Sequence, residues 1–386
     1  MNPTSSRHYL DHASSSPMRP EAVEAMVEWM GPIGAADPGR VHSEGRQARA
    51  AIEQARGQVA DLVGVRPRQV IFTSGATEAA NAAVWGATRA RPGGVVVCPT
   101  VEHSSVRDAS RRLAPVLDVT VDALGRVDPD CFIEALEGAA GGAGVALAHL
   151  QWANHEVGTI QPVADAAEAC RARGIPLHVD AAGAVGHIRT DLERLGADFV
   201  SISAHKMGGP RGIGALVVGR GVRVEPLLVG GDQERARRAG MENTPAIIGF
   251  GATAEVLSRL GRIEAEATQA RTHTESVLAG ALACGDVAPY GDTEDRLPHI
   301  VCLGVMGVEA EAVVLGLDQA GLAVHSGSAC SSETLEPSPV LAAMGVPAES
   351  SLRVSVGWST TDNDVDAFIE AFPGVVRRLR ALGANS

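Results

Sequence analysis

The stretch Phe199-Val200-Ser201-Ile202-Ser203-Ala204-His205-Lys206-Met207-Gly208-Gly209 decides the architecture. An apolar run ends at Ser203, and a histidine and a lysine follow beside two glycines and Pro210. The run reads as a buried strand, and the glycines and proline as the loop that leaves it. A lysine at the mouth of a buried strand is a candidate amine for a Schiff base with a cofactor aldehyde. It is also compatible with a loop lysine whose stem lies on apolar surface while its ammonium reaches water. The stretch alone leaves both readings open.

Working outward, other apolar runs share this pattern. Val70–Phe72, Val95–Cys98, Val145–His149, Leu177–Val179 and Ala215–Val218 read as further strands. Helices are expected to begin near Thr77, Ser104, Asp128, Val163 and Asp191. Continuous apolar strands alternating with helices mark an α/β sheet covered on both faces. Before them, Pro20–Met30 and Glu44–Val63 read as helices, the second with Ala48, Ile52, Ala55, Val59 and Leu62 on one face. From Pro245 to about Ala283 the pattern is helical without strands, which suits one long helix linking two domains. Strands near His299–Gly304 and Leu352–Val356 follow, with helices at Glu309–Ala320 and Thr361–Leu382, the last kinked or broken near Pro373.

The 386 residues allow about two domains and a substantial core. Only 3% of them are aromatic, so Ala, Val, Leu and Ile must fill that core. A net charge of −13 opposes direct binding to nucleic acid or an anionic membrane. No apolar run has the length of a membrane span, and the amino terminus does not read as a leader peptide. The six cysteines form no C-x-x-C pair, so neither a zinc site nor a disulfide framework is expected, and a cytoplasmic protein with reduced thiols is.

Several motifs carry chemistry. Thr73-Ser74-Gly75-Ala76-Thr77-Glu78 sits where a strand meets a helix, and free N–H groups there favour a phosphate. Ordinary capping by Ser74 or Thr77 is the alternative. His178-Val179-Asp180-Ala181-Ala182 ends a strand in a carboxylate, which needs a partner such as a protonated pyridine nitrogen, or a helix to cap. Asp180 and Lys206 both close strands of the same pattern, and ligands of open α/β sheets bind at such ends. His103 closes another strand and can stack on a ring or serve as a loop-edge histidine. In Gln151-Trp152-Ala153-Asn154-His155-Glu156, Asn154 is a candidate donor to cofactor or substrate.

Taken together, these motifs resemble a group I cysteine desulfurase, the NifS/IscS-like branch of the class V aminotransferase family. The resemblance runs from Tyr9 to about Leu382. It rests on Y-L-D-H-A at 9–13, F-T-S-G-A-T-E-A-A-N at 72–81, E-H at 102–103, G-T-I-Q-P at 158–162 and H-V-D-A-A at 178–182. It continues through S-A-H-K-M-G-G-P-R-G-I-G-A-L at 203–216, S-G-S-A-C-S-S at 326–332, L-E-P-S at 335–338 and L-R-V-S at 352–355.

The resemblance implies an α/β protein of the pyridoxal-phosphate-dependent transferase fold type I. Its large domain, residues 14–260, would hold a mainly parallel sheet, and residues 1–13 with 261–386 would form a smaller α+β domain. The cofactor would be pyridoxal 5'-phosphate. Lys206 would form its Schiff base, Asp180 would pair with the pyridine nitrogen, and His103 would stack on the ring. Gly75, Ala76, Thr77, Ser203 and His205 would receive the phosphate. Asn154 would lie near cofactor and substrate, and Arg353 would take the substrate carboxylate. Cys330 would be the nucleophile that accepts sulfur from L-cysteine as a persulfide, leaving L-alanine. The resemblance further implies a homodimer that passes sulfur to an acceptor protein, such as a cluster scaffold or a tRNA-thiolation enzyme.

Two departures stand out. Gly183 occupies a position where the family carries a Gln that donates to the cofactor's phenolic oxygen. Met241 ends Arg237-Arg238-Ala239-Gly240-Met241, where the family carries a Thr for the partner subunit's phosphate. The start is also altered to Ser14-Ser15-Ser16. Other function classes compatible with the scaffold are a pyridoxal-phosphate aminotransferase or lyase without a sulfur-carrying thiol, and a catalytically weakened binding protein. Cys330 in its Ser/Gly-rich setting favours the desulfurase, because transamination needs no thiol.

Overall fold

A computed structural model of the chain describes residues 7–31, 34, 36–139, 143–326 and 337–383. Its strands, in chain order, are β1 (His8–Tyr9), β2 (Val70–Thr73), β3 (Val95–Pro99), β4 (Val116–Val119), β5 (Val145–His149), β6 (Leu177–Asp180), β7 (Phe199–Ser203) and β8 (Gly214–Val218). They continue with β9 (Val287–Tyr290), β10 (Ile300–Val305), β11 (Leu322–Ala323), β12 (His325–Ser326) and β13 (Ser351–Ser355). A seven-stranded sheet has the order β2-β8-β7-β6-β5-β3-β4. All its pairings are parallel except those made by β8, which runs against both β2 and β7. The other six strands therefore point one way, and their carboxyl ends share one edge.

The period-2 alternation of each strand supplies two cores. Val70, Phe72, Val97, Ala148, Val179, Val200, Ile202 and Val217 pack on one face with the helices Ser43–Val63 and Thr244–Ser258. Ile71, Val96, Cys98, Leu147, Phe199, Leu216 and Val218 pack on the other, beneath the helices Ala76–Ala90 and Ser104–Leu113. Small Ala79, Ala80 and Ala83 let the first of these helices lie close on the sheet, which is how a chain poor in aromatics fills its interior.

A four-stranded antiparallel sheet, β12-β13-β10-β9, packs on the helices Arg262–Leu282, Ala310–Gln319 and Asp362–Gly383. Beside it β1 pairs parallel with β11, and Asp11 bridges to Ser355, so the start of the chain joins the carboxy-terminal part. Two expectations are corrected. The helical region after Pro245 is not one helix, since the chain breaks at Arg259–Gly261 and Gly261 adopts φ 74°. Pro373 does not break the last helix, which runs through it to Gly383. No described helix is long and apolar enough to cross a membrane.

Candidate active site

A cavity of about 490 Å³ opens at the carboxyl edge of the large sheet. Its walls come from the segments that leave the strands: Ser74–Thr77 after β2, His103 and Ser105 after β3, His155 after β5, Asp180 and Ala182 at β6, and Ser203, His205 and Lys206 at β7. Ala13, Ser14 and Ser15 close it from the amino terminus, and Arg353 from the small sheet. Of the residues expected at the site, Gly75, Ala76, Thr77, His103, Asp180, Ser203, His205, Lys206 and Arg353 thus share one space. Cys330 lies outside the described residues.

Lys206 sits in a short 3-10 turn, Ala204–Met207, that continues β7. Gly208 ends the turn at φ 86°, and a Cβ there would also collide with Arg19 and Trp358. The turn is held from outside the cavity. Ser16 N–H donates to the His205 carbonyl (2.9 Å), Arg19 Nε–H to the Met207 carbonyl (3.0 Å), and His187 Nε2–H to the Lys206 carbonyl (3.2 Å). The backbone of Lys206 is therefore fixed independently of whatever its amine bonds.

The helix Ala76–Ala90 starts at the cavity. Its cap position is Gly75, with no side-chain capping bond, so neither Ser74 nor Thr77 plays the ordinary capping part. The first-turn N–H groups face a cavity that also presents Ser203, His205 and Arg211. Gly214 makes the packing possible, since a Cβ there would come within 2.7 Å of the Gly75 Cα. Glu78 in the same turn accepts from Ser74 N–H (2.7 Å) and from Arg238 Nε–H (2.9 Å), tying on the segment that carries Met241.

Asp180 accepts from Ala182 N–H (3.0 Å) and otherwise faces the cavity. His103 caps the helix Ser104–Leu113, its Nδ1 accepting from Ser105 N–H (3.1 Å), so the proton of its neutral ring lies on Nε2. Burial, His155 and the Lys206 ammonium push its pKa down to about 3. Burial first, then Lys206 and Arg353, push His155 to about 3, and burial with Lys206 and Arg211 pushes His205 to about 4. All three imidazoles are neutral at physiological pH, which removes positive charge that would compete with the lysine.

Asn154 is not among the lining residues. Its Oδ1 accepts from Glu156 N–H (2.8 Å) and Val157 N–H (2.9 Å), and its Nδ2 donates to the Val101 carbonyl (3.2 Å). It builds the loop, and its neighbour faces the ligand space. His155 is half-buried, with its side chain 14% exposed, stands edge-on to His103 with ring centres 4.9 Å apart, and keeps a buried Nδ1 without a partner among the described residues. The sequence held no signal to separate the two, because both lie in one irregular loop.

Arg353 projects from β13, between Leu352 and Val354 of the small core. Its Nη2 donates to Asp11 Oδ1 (3.0 Å) and Ser14 Oγ (2.7 Å), and its Nη1 to the His155 carbonyl (2.9 Å). Its Nε is buried with no partner among the described residues. Ser14, which belongs to the altered amino-terminal motif, thus helps orient the guanidinium. At Gly183 a Cβ would meet only Leu297, at an ordinary 3.7 Å, so a larger side chain has room to start there. Met241 is 69% exposed.

The class-V aminotransferase family matches residues 8–368. A cysteine desulfurase, IscS 1, of Archaeoglobus fulgidus is 39% identical over 97% of this chain and 98% of its own length. A cysteine desulfurase of Trichormus azollae is 38% identical over 97% of this chain and 94% of its own length. Among solved structures, a NifS-like protein superposes with a TM-score of 0.88 at 28% identity, over 97% of this chain and all of that one. The fold is that of a pyridoxal-phosphate enzyme of fold type I, and the chain belongs to the class-V aminotransferase family. Enzymes of this family depend on pyridoxal phosphate.

The residues present fit that cofactor. An uncapped helix start with hydroxyls and imidazole beside it suits a phosphate, a carboxylate suits a protonated ring nitrogen, and a lysine shares their cavity. His155 Nδ1 and Arg353 Nε, unpartnered among the described residues, belong to side chains that line the same cavity and keep bonding capacity in reserve.

Proposed function

We propose that the protein is a pyridoxal-phosphate-dependent cysteine desulfurase, which converts L-cysteine and a protein thiol to L-alanine and a protein persulfide. The observation that carries this reading is the convergence of Lys206, Asp180, His103, the open helix start and Arg353 on one cavity. The bound cofactor supplies an aldehyde for amine capture and a ring that stores electron density from the substrate's Cα.

In this reading Gly75, Ala76, Thr77, Ser203 and His205 hold the phosphate end, and Asp180 holds the proton on the ring nitrogen. His103, which lines the cavity, would stack on the ring. Arg353, oriented by its bonds to Asp11, Ser14 and His155, takes the substrate carboxylate, a task suited to a permanently charged guanidinium. His155, rather than Asn154, is the loop residue that meets the ligand. Lys206 Nζ removes the proton from the substrate Cα and returns one. The Cys330 thiolate attacks the substrate sulfur, an S–S bond forms, and the C–S bond breaks with its electron pair left on carbon. Protonation of that carbon completes alanine.

The same reading takes 14–260 as the cofactor domain and 1–13 with 261–386 as the domain carrying Cys330, which the separate cores of the two sheets support. It expects a homodimer in the cytoplasm that hands sulfur to an acceptor protein. Leu228, Val229 and Met241, all exposed around the segment tied to Glu78, support a subunit contact there.

The test is direct. Protein loaded with pyridoxal phosphate is given L-cysteine and a reductant, and alanine and sulfide are measured together. Equimolar alanine and sulfide are expected. Pyruvate with sulfide would indicate a lyase, and absence of both products would discard the reading.

A further inference from the structure

One face of the large sheet is hydrocarbon almost throughout, with Ile71, Val96, Leu147, Phe199 and Leu216 beneath the helices Ala76–Ala90 and Ser104–Leu113. Four polar side chains interrupt it. Ser110, His149, His178 and Ser201 are all 0% exposed. Ser110 Oγ lies 3.1 Å from His149 Nε2, His149 Nδ1 lies 2.9 Å from His178 Nδ1, and His178 Nε2 lies 2.7 Å from Ser201 Oγ.

The network assigns every proton. Ser110 O–H donates to the Val106 carbonyl (2.7 Å), so its oxygen must accept from His149 Nε2–H. His149 Nδ1 then holds a lone pair and accepts from His178 Nδ1–H. His178 Nε2 in turn accepts from Ser201 O–H. Burial keeps both rings neutral, His178 at about 4 and His149 well below its usual value, so no extra proton disturbs this order.

Each member sits on an element that presents a cavity residue. Ser110 is on the helix that His103 caps, and His149 ends β5, which leads to His155. His178 precedes Asp180 by two residues on β6, and Ser201 precedes Ser203 by two on β7, so each pair shares a strand face. Packing alone does not require such a chain. Replacing buried polar partners together by hydrocarbon is often neutral for stability.

We propose that Ser110, His149, His178 and Ser201 are positioning residues, one directional hydrogen-bonded chain that sets His103, His155, Asp180 and Lys206 in register across four elements. The inference rests on the reading of those four as the ligand-facing set. Directional bonds fix relative placement where apolar contact tolerates sliding.

The experiment removes the ends of the chain at nearly constant volume, with Ser201→Ala and Ser110→Ala, and restores a hydroxyl with Ser201→Thr. Titration with pyridoxal phosphate, the pH titration of its visible absorption band, kcat and KM for L-cysteine, and Tm are measured on each. Both alanine variants are expected to bind the cofactor several-fold more weakly and to shift the band's titration. They should lose about tenfold in kcat, with KM within about twofold, as small misplacement of catalytic groups does. Ser201→Thr should recover the kcat and the titration. Wild-type cofactor affinity, band titration and kcat in both alanine variants, whatever their Tm, would overturn the proposal. If Ser201→Ala does not fold, Ser110→Ala decides by the same measurements. Cofactor affinity and absorption require no cysteine, so a protein inert toward cysteine would refute the desulfurase reading while these results still judged the chain.

Discussion

Asn154 and His155 are chain neighbours with opposite surroundings, and they separate at the bench. Asn154 has three bonds to backbone, so Asn154→Ala should lower stability by about 1–3 kcal/mol through stranded N–H groups. Its KM for cysteine should change little. His155→Ala removes a buried imidazole from the cavity wall and should raise that KM about tenfold while Tm moves less. Steady-state kinetics with thermal melts on the two variants checks this, and the reverse pattern would return the ligand-facing role to Asn154. Lys206→Ala should lose at least ~10³-fold in cysteine turnover, because the proposed mechanism gives that nitrogen both amine capture and Cα proton transfer. Normal alanine production by this variant would exclude Lys206 from both tasks. At Gly183 the room beside Leu297 makes Gly183→Gln tolerable. Tighter cofactor binding or a shifted absorption titration is expected of it, and no change in either would mean that position 183 does not face the cofactor's ring oxygen.

At the scale of elements, the segment around Gln233–Ala236 shows what sequence patterning leaves hidden. Glu234, Arg235 and Ala236 all have φ between 48° and 61°, a region that side chains avoid. Glu234 is held there by Arg56 through two bonds of 2.6 and 2.7 Å and by Phe72 N–H at 2.9 Å, all buried. Arg56→Met should therefore cost about 3–5 kcal/mol by stranding the carboxylate, and Arg56→Met with Glu234→Leu should recover part of that. Denaturant midpoints of the single and double variants measure it, and additive losses would mean the two side chains act separately. Nothing in the sequence paired residues 178 positions apart. By contrast β5 and β7 were legible to the residue, because a strand buried on both faces carries a mainly apolar run without charged residues. The edge strand β4 was not, since Leu117 and Asp118 are exposed and the run carries no burial signal. Nor was the break at Arg259–Gly261, where a single glycine between two helical stretches turns the chain. The cavity was legible where motifs close strands, and illegible where an irregular loop decides which side chain points inward.

For the whole molecule, two bodies meet at one cavity, and the amino-terminal segment ties them. Ser14 bonds Arg353 of the small sheet, while Ser16 and Arg19 bond the turn that carries Lys206. Many histidines are enclosed here. His12, His178, His187 and His205 are pushed to about 4, and His103 and His155 to about 3, each chiefly by burial. The unfolded chain thus binds protons first, near its ordinary histidine value of ~6.5, and stability present above that pH is lost as pH falls toward 4. Tm should decline between about pH 6.5 and 5, above the carboxylate range, with a slope equivalent to several protons, and a flat Tm there would contradict the burial. The small sheet also bears on sulfur transfer. β12 ends at Ser326 beside β13, with His325 opposite Arg353, and Cys330 follows four residues later in the chain. Cys330→Ser should keep the exchange of the cysteine Cα proton with solvent deuterium, because the proposed mechanism assigns that step to Lys206, Asp180 and Arg353. It should lose sulfur transfer, because a hydroxyl cannot accept sulfur as a persulfide. An ordinary thiol, with a pKa of ~8.5, is only a few per cent thiolate at neutral pH, so wild-type turnover should rise on the alkaline side. Mass spectrometry after brief exposure to cysteine without reductant should find one added sulfur on the Cys330 peptide of the wild type and none on the variant. Unimpaired sulfide release by Cys330→Ser would instead show that sulfur leaves without a protein thiol, and the persulfide step would be abandoned.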